Sequence, residues 1–251
     1  MCGRYCMTSP PAAIRALFRY AEHPNFPPRY NIAPTQPVPI VRIVNGERRF
    51  ALVRWGLIPA WVKDPKGFAL LINARGETVN DKPAFRHAMK RRRCLFPADG
   101  FYEWKAEAGR RKAYHAQRPG GGPLAFAGLW ETWTGPNGEE LETAAIVTTQ
   151  ANRTLATVHQ RAPVIVPPEA FDFWLDSDKV DAIAAAALIA PAPEDSMEVY
   201  EVSPAVNKVA NDSPELIDPQ AAPREAEPAP RQLKPVPRPK RAADSGQGSL
   251  F

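Results

Sequence analysis

The chain has 251 residues, of which 44% are hydrophobic, enough for one large domain or two small ones. Its longest nearly apolar stretch, residues 182–190, is far shorter than the ~20 residues that a membrane-spanning helix needs, and no signal segment opens the chain. We therefore expect a cytoplasmic protein with no membrane partner. The formal net charge is +5, but residues 219–251 contain six basic and three acidic side chains and carry +3 of it, so charge alone does not indicate a nucleic-acid partner.

Residues 219–251 differ in composition from the rest of the chain. They contain seven prolines, and apart from the last two residues their apolar content is almost entirely Ala, Pro and isolated Leu or Val. Such a segment cannot bury enough apolar surface to fold. The composition predicts one folded domain over 1–218 and a disordered basic tail over 219–251.

The predicted elements begin with a helix over 9–20, with Ser9 as its N-cap and two prolines in its first turn. A hairpin follows over 38–55, because two β-branched runs flank Asn45-Gly46, a dipeptide typical of a type I′ turn. Further strands are predicted at 93–97, 112–117, 124–133, 143–149 and 163–166, and helices near 81–90, 168–175 and 179–189. This order indicates an α+β domain around a strongly curved, mostly antiparallel, barrel-like β-sheet with flanking helices.

Cys2 follows the initiator methionine, and aminopeptidases remove that methionine when the second residue is small. The new N-terminus would carry an α-amine with a pKa of about 7.7–8.0 and a thiol with a pKa of about 8.5 on adjacent carbons. Both groups are partly nucleophilic near neutrality. From Cys2 alone, a position without chemical consequence is the simpler interpretation. The three cysteines fit a reducing compartment, where Cys94 is a small buried hydrophobe.

Two polar-rich segments interrupt the first half of the fold. In LINARGET the residues Asn73, Arg75 and Glu77 alternate, so an extended chain would point them to one face; a solvated strand end with an Arg–Glu pair is the competing interpretation. In RCLFPADGFYEWK, Glu103 lies among aromatic residues, where desolvation would raise the pKa of its carboxyl group and suit it to general acid catalysis. A strand glutamate that faces water is equally consistent with this second segment.

Two further segments carry a histidine and a tryptophan. His159 and Arg161 precede a buried strand in TVHQRAPVIV, where histidine could move protons and arginine could hold an anion. In RWGLIPAWVKD an exposed tryptophan could stack on an unpaired base; a core position is more typical for Trp55 than for Trp61. The other histidines, His23, His87 and His115, have no comparable neighbours in the sequence. No Cys/His spacing predicts a metal site, and we expect no cofactor.

Seven segments occur in order across residues 2–218: MCGRY, RYNIAPTQ, WGLIPAW, INARGET, CLFPADGFYEWK, HQRAPVIV and VSPAVNKVANDSPELI. Together they resemble the SRAP family, named for "SOS response-associated peptidase". The resemblance implies a sensor of abasic sites in single-stranded DNA, which would act as a monomer in the cytoplasm at the bacterial nucleoid. In that family the N-terminal cysteine attacks the ring-opened deoxyribose aldehyde and forms a thiazolidine crosslink.

The resemblance also implies roles for individual residues. Asn73 would orient the Cys2 amine and the sugar oxygen, Glu103 would act as acid and base in ring opening, and His159 would move protons. Phosphates around the lesion would contact Arg4, Arg75 and Arg161, and the flanking bases would pack against Pro34 and Trp61. This chain has Val62 where some relatives have a second tryptophan, and only Lys82 where relatives have several basic residues. Residues 90–93, a run of four basic side chains, could compensate or could form a solvated helix end.

Two alternative functions remain compatible with the sequence. One is a thiol peptidase that uses Cys2 and His159 and whose first substrate is its own Met1; it would need an oxyanion hole. The other is a non-covalent single-strand binding module, in which Cys2 has no chemical role. The chain also ends in QGSLF, in which Gln247, Leu250 and Phe251 resemble the short peptide that binds the bacterial sliding clamp.

Overall fold

The computed structural model describes residues 2–107 and 109–220, and the elements below belong to these residues. The strands are β1 Tyr5–Met7, β2 Arg29–Ile32, β3 Pro37–Val44, β4 Glu47–Trp55, β5 Asn73–Arg75, β6 Arg93–Ala98, β7 Gly100–Glu107, β8 Arg110–Gln117, β9 Leu124–Thr134, β10 Glu140–Gln150, β11 Arg161–Pro163 and β12 Glu198–Val202. The α-helices are α1 Pro11–Phe18, α2 Arg86–Arg91, α3 Arg153–Ala156, α4 Phe171–Leu175 and α5 Ala182–Ala185. Single 3-10 turns lie at Pro65–Gly67, Gly76–Thr78, Pro168–Ala170, Ala186–Leu188, Glu194–Ser196, Pro204–Asn207 and Pro214–Leu216.

The larger sheet closes on itself. Its strands follow the order β11-β10-β4-β3-β6-β9, and β9 also pairs with β10, so that β10, β4, β3, β6 and β9 form a closed ring. All of these pairings are antiparallel except β4 with β10; β5 also joins β10 in parallel. The structure confirms the α+β class and the barrel-like, mostly antiparallel sheet.

A second sheet of five strands, in the order β12-β8-β7-β1-β2, forms another layer. One apolar core fills the space between the two sheets, with Tyr5 and Phe101 from the smaller sheet and Trp55 and Ile146 from the larger. A second core lies on the other face of the larger sheet under α1, α2, α4 and α5. The outer face of the smaller sheet is covered by the chain from Val202 to Ile217.

The predicted hairpin is confirmed. Asn45 and Gly46 have φ angles of 52° and 79°, the left-handed values that a type I′ turn requires, and β3 pairs with β4 in full register up to Val44 and Glu47. The predicted cap of the first helix is wrong. Pro10 occupies the cap position, while the Ser9 hydroxyl donates to the Asp99 carboxylate instead. Asp99 is buried and also accepts the Ser9 amide at 2.8 Å, so this bond joins α1 to the β6–β7 turn.

The other predicted helices are shorter than expected. The helix near 81–90 begins only at Arg86, after Pro83, and the segments 168–175 and 179–189 each combine a short α-helix with a 3-10 turn. The predicted strand over 163–166 is mainly residues 161–163, with one further bridge at Ile165. No helix among the described residues has the length and apolar character to cross a membrane. The predicted disorder of the tail lies outside the described residues.

Candidate functional site

Cys2 lies in the core between the two sheets and is fully buried. Its Sγ is 3.9 Å from the carbonyl oxygen of Arg4, a long contact for a thiol donor. Burial raises the pKa of the Cys2 thiol well above its usual range, and the nearby Glu103 carboxylate adds to this effect. The residue that the sequence singled out as a nucleophile is therefore enclosed rather than on an open surface.

Asn73 holds the backbone of Cys2. Strand β5 pairs Asn73 with Ile146 of β10, so the Asn73 side chain points into the core between the sheets. Its Nδ2 donates to the Cys2 carbonyl oxygen at 2.8 Å. Its Oδ1 is buried and has no hydrogen-bond partner among the described residues. One amide thus positions residue 2 and keeps an acceptor available beside it.

Glu103 points toward the core around Cys2 from β7 of the smaller sheet, whereas Asn73 belongs to the larger sheet. It alternates with Phe101 along β7, and Phe101 packs in the core that contains Cys2, so Glu103 points toward that core. The carboxyl group is buried, and burial raises its pKa, although the charge of His159 partly opposes the shift. The prediction of a desolvated carboxyl with a raised pKa is confirmed.

His159 has a backbone partner for either protonation state. The Arg161 amide donates to His159 Nδ1 at 3.0 Å, which fits a neutral ring with its proton on Nε2. The Arg161 carbonyl oxygen lies 3.1 Å from the same Nδ1, so a protonated ring can donate to it. A half-buried imidazole supported in both states is suited to proton transfer, and its charge acts on Glu103.

Arg161 and Arg75 occupy different environments. The Arg161 guanidinium forms a two-point ion pair with Glu77, at 2.8 and 2.9 Å, and donates to the Thr148 carbonyl oxygen. Arg75 is exposed at the end of β5 and makes no ion pair among the described residues. The interpretation in which Glu77 shares a strand face with Asn73 and Arg75 is wrong, because β5 ends at Arg75 and the chain turns into a 3-10 helix. The competing interpretation, a strand end with an Arg–Glu pair, fits better, although the arginine is Arg161.

Trp55 and Trp61 differ in exposure, as the sequence indicated. Trp55 is fully buried and donates from Nε1 to the Ile72 carbonyl oxygen at 3.0 Å. Trp61 is 59% exposed, and Pro34 is half-buried in the loop before β3. An exposed indole matches the surface that base stacking requires.

The Arg4 side chain, unlike its carbonyl group, bonds to residues other than those around Cys2. Its Nη1 donates to Asn31 Oδ1 at 2.6 Å and to the Val206 carbonyl oxygen at 2.9 Å, and its guanidinium lies 5.7 Å from the Trp104 ring centre. Trp104 and Glu103 are neighbours in β7 and point to opposite faces. The assignment of Arg4 to a phosphate stays a prediction.

Two residues that were not predicted from the sequence hold the predicted site arginines Arg4 and Arg161. Asn31 is fully buried and donates to three carbonyl oxygens of the 206–211 segment while it accepts from Arg4. Thr148 holds Arg161 through its carbonyl and hydroxyl oxygens. Asn31 belongs to the RYNIAPTQ motif, so the resemblance to the family could have identified it. Thr148 lies in none of the seven motifs.

The fold gives His115 polar neighbours from distant parts of the chain, since its Nε2 is 3.3 Å from Cys6 Sγ and its Nδ1 is 3.0 Å from the Tyr200 hydroxyl. In the basic run 90–93, Arg93 is buried and bonded to backbone carbonyls, and Arg92 pairs with Glu131. Lys90 and Arg91 are exposed at the end of α2, as expected of a solvated helix end, and a contact of this run with DNA stays a prediction. Cys94 is buried as expected.

The structure bears on the metal prediction but not on the clamp-binding prediction for the tail. Over residues 2–107 and 109–220 no group of three His, Cys, Asp or Glu side chains has the geometry of a metal site. Gln247, Leu250 and Phe251 lie outside the described residues, and their role stays a prediction.

Comparison with known proteins places this chain in a family. Residues 1–209 match the family model "SOS response associated peptidase (SRAP)". The chain is 38% identical over 222 residues to the abasic site processing protein YoqW of Bacillus subtilis, covering 87% of this chain and 99% of that protein. It is 29% identical to the abasic site processing protein HMCES of Xenopus tropicalis, over 86% of this chain and 78% of that protein.

Solved structures show the same fold. A protein from Bacteroides thetaiotaomicron superposes with a TM-score of 0.79 at 23% identity, over 88% of this chain and all of that one. A phage-related protein from Bordetella bronchiseptica superposes with a TM-score of 0.64 at 33% identity, over 80% of this chain and 94% of that one. With a family model that spans most of its length and relatives above 30% identity, this chain belongs to the SOS response associated peptidase (SRAP) family.

Proposed function

We propose that this protein senses abasic sites in single-stranded DNA and crosslinks to them through Cys2 once Met1 has been removed. The observation that carries the proposal is the bond from Asn73 Nδ2 to the Cys2 carbonyl oxygen, with the unpartnered Asn73 Oδ1 beside it. This amide would hold the residue 2 backbone and accept a hydrogen bond from the freed α-amine. Relatives named as abasic site processing proteins support the lesion as substrate.

The chemistry uses both nucleophiles of Cys2. The α-amine adds to the C1′ aldehyde of the ring-opened deoxyribose, and the resulting carbinolamine loses water to give an imine. The thiol then adds to the imine carbon: a carbon–sulfur bond forms, and the thiol proton moves to nitrogen. The product is a five-membered thiazolidine, and the only by-product is one water molecule. A thiol alone would give a reversible hemithioacetal, and an amine alone a hydrolysable imine.

Glu103 and His159 would carry the protons for these steps. Ring opening needs an acid at the sugar ring oxygen and a base at the C1′ hydroxyl, and a buried carboxyl group with a raised pKa keeps its proton closer to neutral pH than an exposed one. His159 can exchange a proton at Nε2, because its Nδ1 has a backbone partner in both states. We assign acid and base catalysis of ring opening to Glu103, with His159 moving protons during ring opening and imine formation.

The arginines would hold the DNA backbone. Arg75 is exposed and unpaired among the described residues, so it can meet a phosphate directly. Arg161 is already neutralised by Glu77, and a phosphate at this position would compete with that carboxylate. Arg75 is therefore the main phosphate contact next to the lesion in this proposal.

The raised pKa of the Cys2 thiol argues against the thiol peptidase alternative. Thiol peptidases attack with a thiolate, which neighbouring positive charges normally stabilise. Here burial and the Glu103 carboxylate disfavour the thiolate. In the crosslinking route the thiol attacks the carbon of an imine that the α-amine has already formed, and protonation of the imine nitrogen makes that carbon more electrophilic.

A denaturing gel separates the alternatives. The protein is incubated with single-stranded DNA that contains one abasic site, and we expect a heat-resistant shifted band that is missing in Cys2→Ala. Intact mass should reveal the loss of one methionine. Crosslinking by a protein that retains Met1 would rule out the thiazolidine, and the absence of any band with wild-type protein would leave the peptidase and the non-covalent binding module.

A further inference from the structure

Glu77 and Arg161 form an ion pair that the proposed chemistry does not use. Arg161 Nη1 and Nη2 donate to the two carboxylate oxygens of Glu77 at 2.8 and 2.9 Å. These hydrogen bonds from Arg161 hold the pKa of the Glu77 carboxyl group below its usual value, so the pair is charged at neutral pH. A two-point pair of this kind fixes the orientation of the guanidinium plane as well as its position.

The Arg161 guanidinium is also anchored to strand β10. Its Nη2 donates to the Thr148 carbonyl oxygen at 2.8 Å and to the Thr148 hydroxyl oxygen at 3.2 Å. Thr148 is buried, and it pairs with Arg75 of β5 and with Pro163 of β11. Arg161 therefore ties the start of β11, two residues after His159, to the strand that β5 joins.

Gly76 allows Glu77 to come this close to β10. A Cβ atom on Gly76 would collide with Ile189 Cγ2 and would lie 3.2 Å from the Thr148 carbonyl oxygen, closer than an ordinary van der Waals contact. The 3-10 turn that contains Gly76 and Glu77 is thus packed against the same carbonyl group that accepts from Arg161. The fold brings Glu77, Arg161 and Thr148, here called the Arg161 anchor, together from three separate segments of the chain.

The backbone of Arg161 holds the imidazole of His159. The Arg161 amide donates to His159 Nδ1 at 3.0 Å, and the Arg161 carbonyl oxygen lies 3.1 Å from the same atom. The His159 amide donates to the Leu155 carbonyl oxygen of α3 at 3.0 Å, which fixes the other end of this short connection. The hydrogen bond at one ring nitrogen sets which nitrogen carries the proton, so a shift of the Arg161 backbone would change the tautomer of His159.

We propose that Glu77 is a positioning residue for proton transfer by His159. Its carboxylate fixes the Arg161 side chain, the Arg161 anchor fixes the first residue of β11, and the backbone of that residue keeps the His159 proton on Nε2. In this role Glu77 acts through Arg161 and not by contact with DNA. The inference rests on the proposed function, because it concerns the residue to which that function assigns proton transfer.

Glu77→Ala tests the Arg161 anchor. We expect the crosslinking rate at saturating single-stranded abasic-site DNA to fall about ten- to hundred-fold, because a small misplacement of a catalytic group has an effect of that size. In the free protein, the ring-nitrogen NMR signals of His159 should change from those of the Nε2-protonated tautomer to those of a tautomer mixture. Arg161→Lys keeps the positive charge but loses the two-point geometry, so it should change both readouts in the same direction.

Glu142→Ala is the matched control. Glu142 forms a two-point pair with Arg42, at 2.6 and 3.2 Å, elsewhere on the larger sheet. The side chains of the two pairs are similarly exposed, at 16% and 34% for Arg42 and Glu142 and at 18% and 45% for Arg161 and Glu77. This variant removes an equivalent ion pair and should leave the crosslinking rate and the His159 signals unchanged.

His159 signals that are the same in wild type, Glu77→Ala and Arg161→Lys would overturn the proposal. A wild-type rate at saturating DNA in Glu77→Ala would also overturn it. If binding by that variant then has a slope of log affinity against log salt that is steeper by about 0.7, Glu77 competes with a phosphate for Arg161 instead. If the wild-type protein does not crosslink abasic-site DNA, the proposed function is wrong, and the NMR signals of the free proteins still test the Arg161 anchor.

Discussion

At the scale of single residues, burial raises the pKa of the Glu103 carboxyl group, and we expect this to suit it to proton transfer during crosslinking. Glu103→Gln keeps the shape and hydrogen bonding of the side chain but removes its proton transfer. We expect crosslinking to slow by about 10²–10⁴-fold with DNA binding nearly unchanged, measured by quenched-flow gels and fluorescence anisotropy. Arg75→Ala should do the reverse, weakening binding and its salt dependence. Wild-type crosslinking kinetics in Glu103→Gln would remove this carboxyl group from the mechanism.

His115 provides a pH test at the same scale. Burial lowers its pKa from 6.5 to about 4, so the folded state binds this proton less readily than the unfolded state. The stability contributed by a neutral His115 is present above pH 6.5 and is lost as the pH falls toward 4, by about 2 kcal/mol at pH 5. Urea unfolding of wild type and His115→Gln at pH 7 and pH 5 checks this. An equal pH dependence in the two proteins would contradict it.

At the scale of elements, Arg93 ties the first residue of β6 to two helices. The buried guanidinium donates to carbonyl oxygens at the end of α4 and in the segment that follows, and to Met89 in α2, at 2.5–3.2 Å. Arg93→Met would leave several buried carbonyls unpaired at about 1–3 kcal/mol each, so we expect a loss of at least about 3 kcal/mol in the free energy of unfolding. Arg91→Met, at an exposed position, is the control. A loss below about 1 kcal/mol would mean that water replaces the guanidinium.

At the scale of the whole molecule, the terminal peptide would connect lesion sensing to replication. We expect a peptide of residues 244–251 to bind the sliding clamp with roughly micromolar affinity, because Leu250 and Phe251 would fill a preformed pocket while Gln247 sets the orientation. In the full chain, Leu250→Ala combined with Phe251→Ala should abolish clamp binding, measured by surface plasmon resonance. Abasic-site crosslinking should not change. Clamp binding that survives the double substitution would assign the tail another role.

By itself, the sequence determined the features that depend on local chemistry. Alternation and turn residues predicted the β3–β4 hairpin, since Asn45 and Gly46 tolerate the left-handed backbone. The motifs named Cys2, Asn73, Glu103 and His159, and the aromatic neighbours of Glu103 indicated its raised pKa. The short strands β1, β2 and β5 were missed, because three or four residues carry too little periodicity and depend on distant partners.

Only the tertiary structure decided which side chains meet and how charge is distributed among them. The pairing of β5 with β10 brings Asn73 to the Cys2 carbonyl across 71 positions of sequence. The same layering directs Glu77 to Arg161 and buries Arg93. Such choices depend on burial and on contacts between residues far apart in sequence, because an ion pair or an exposed cation is defined by its surroundings and not by the residue itself.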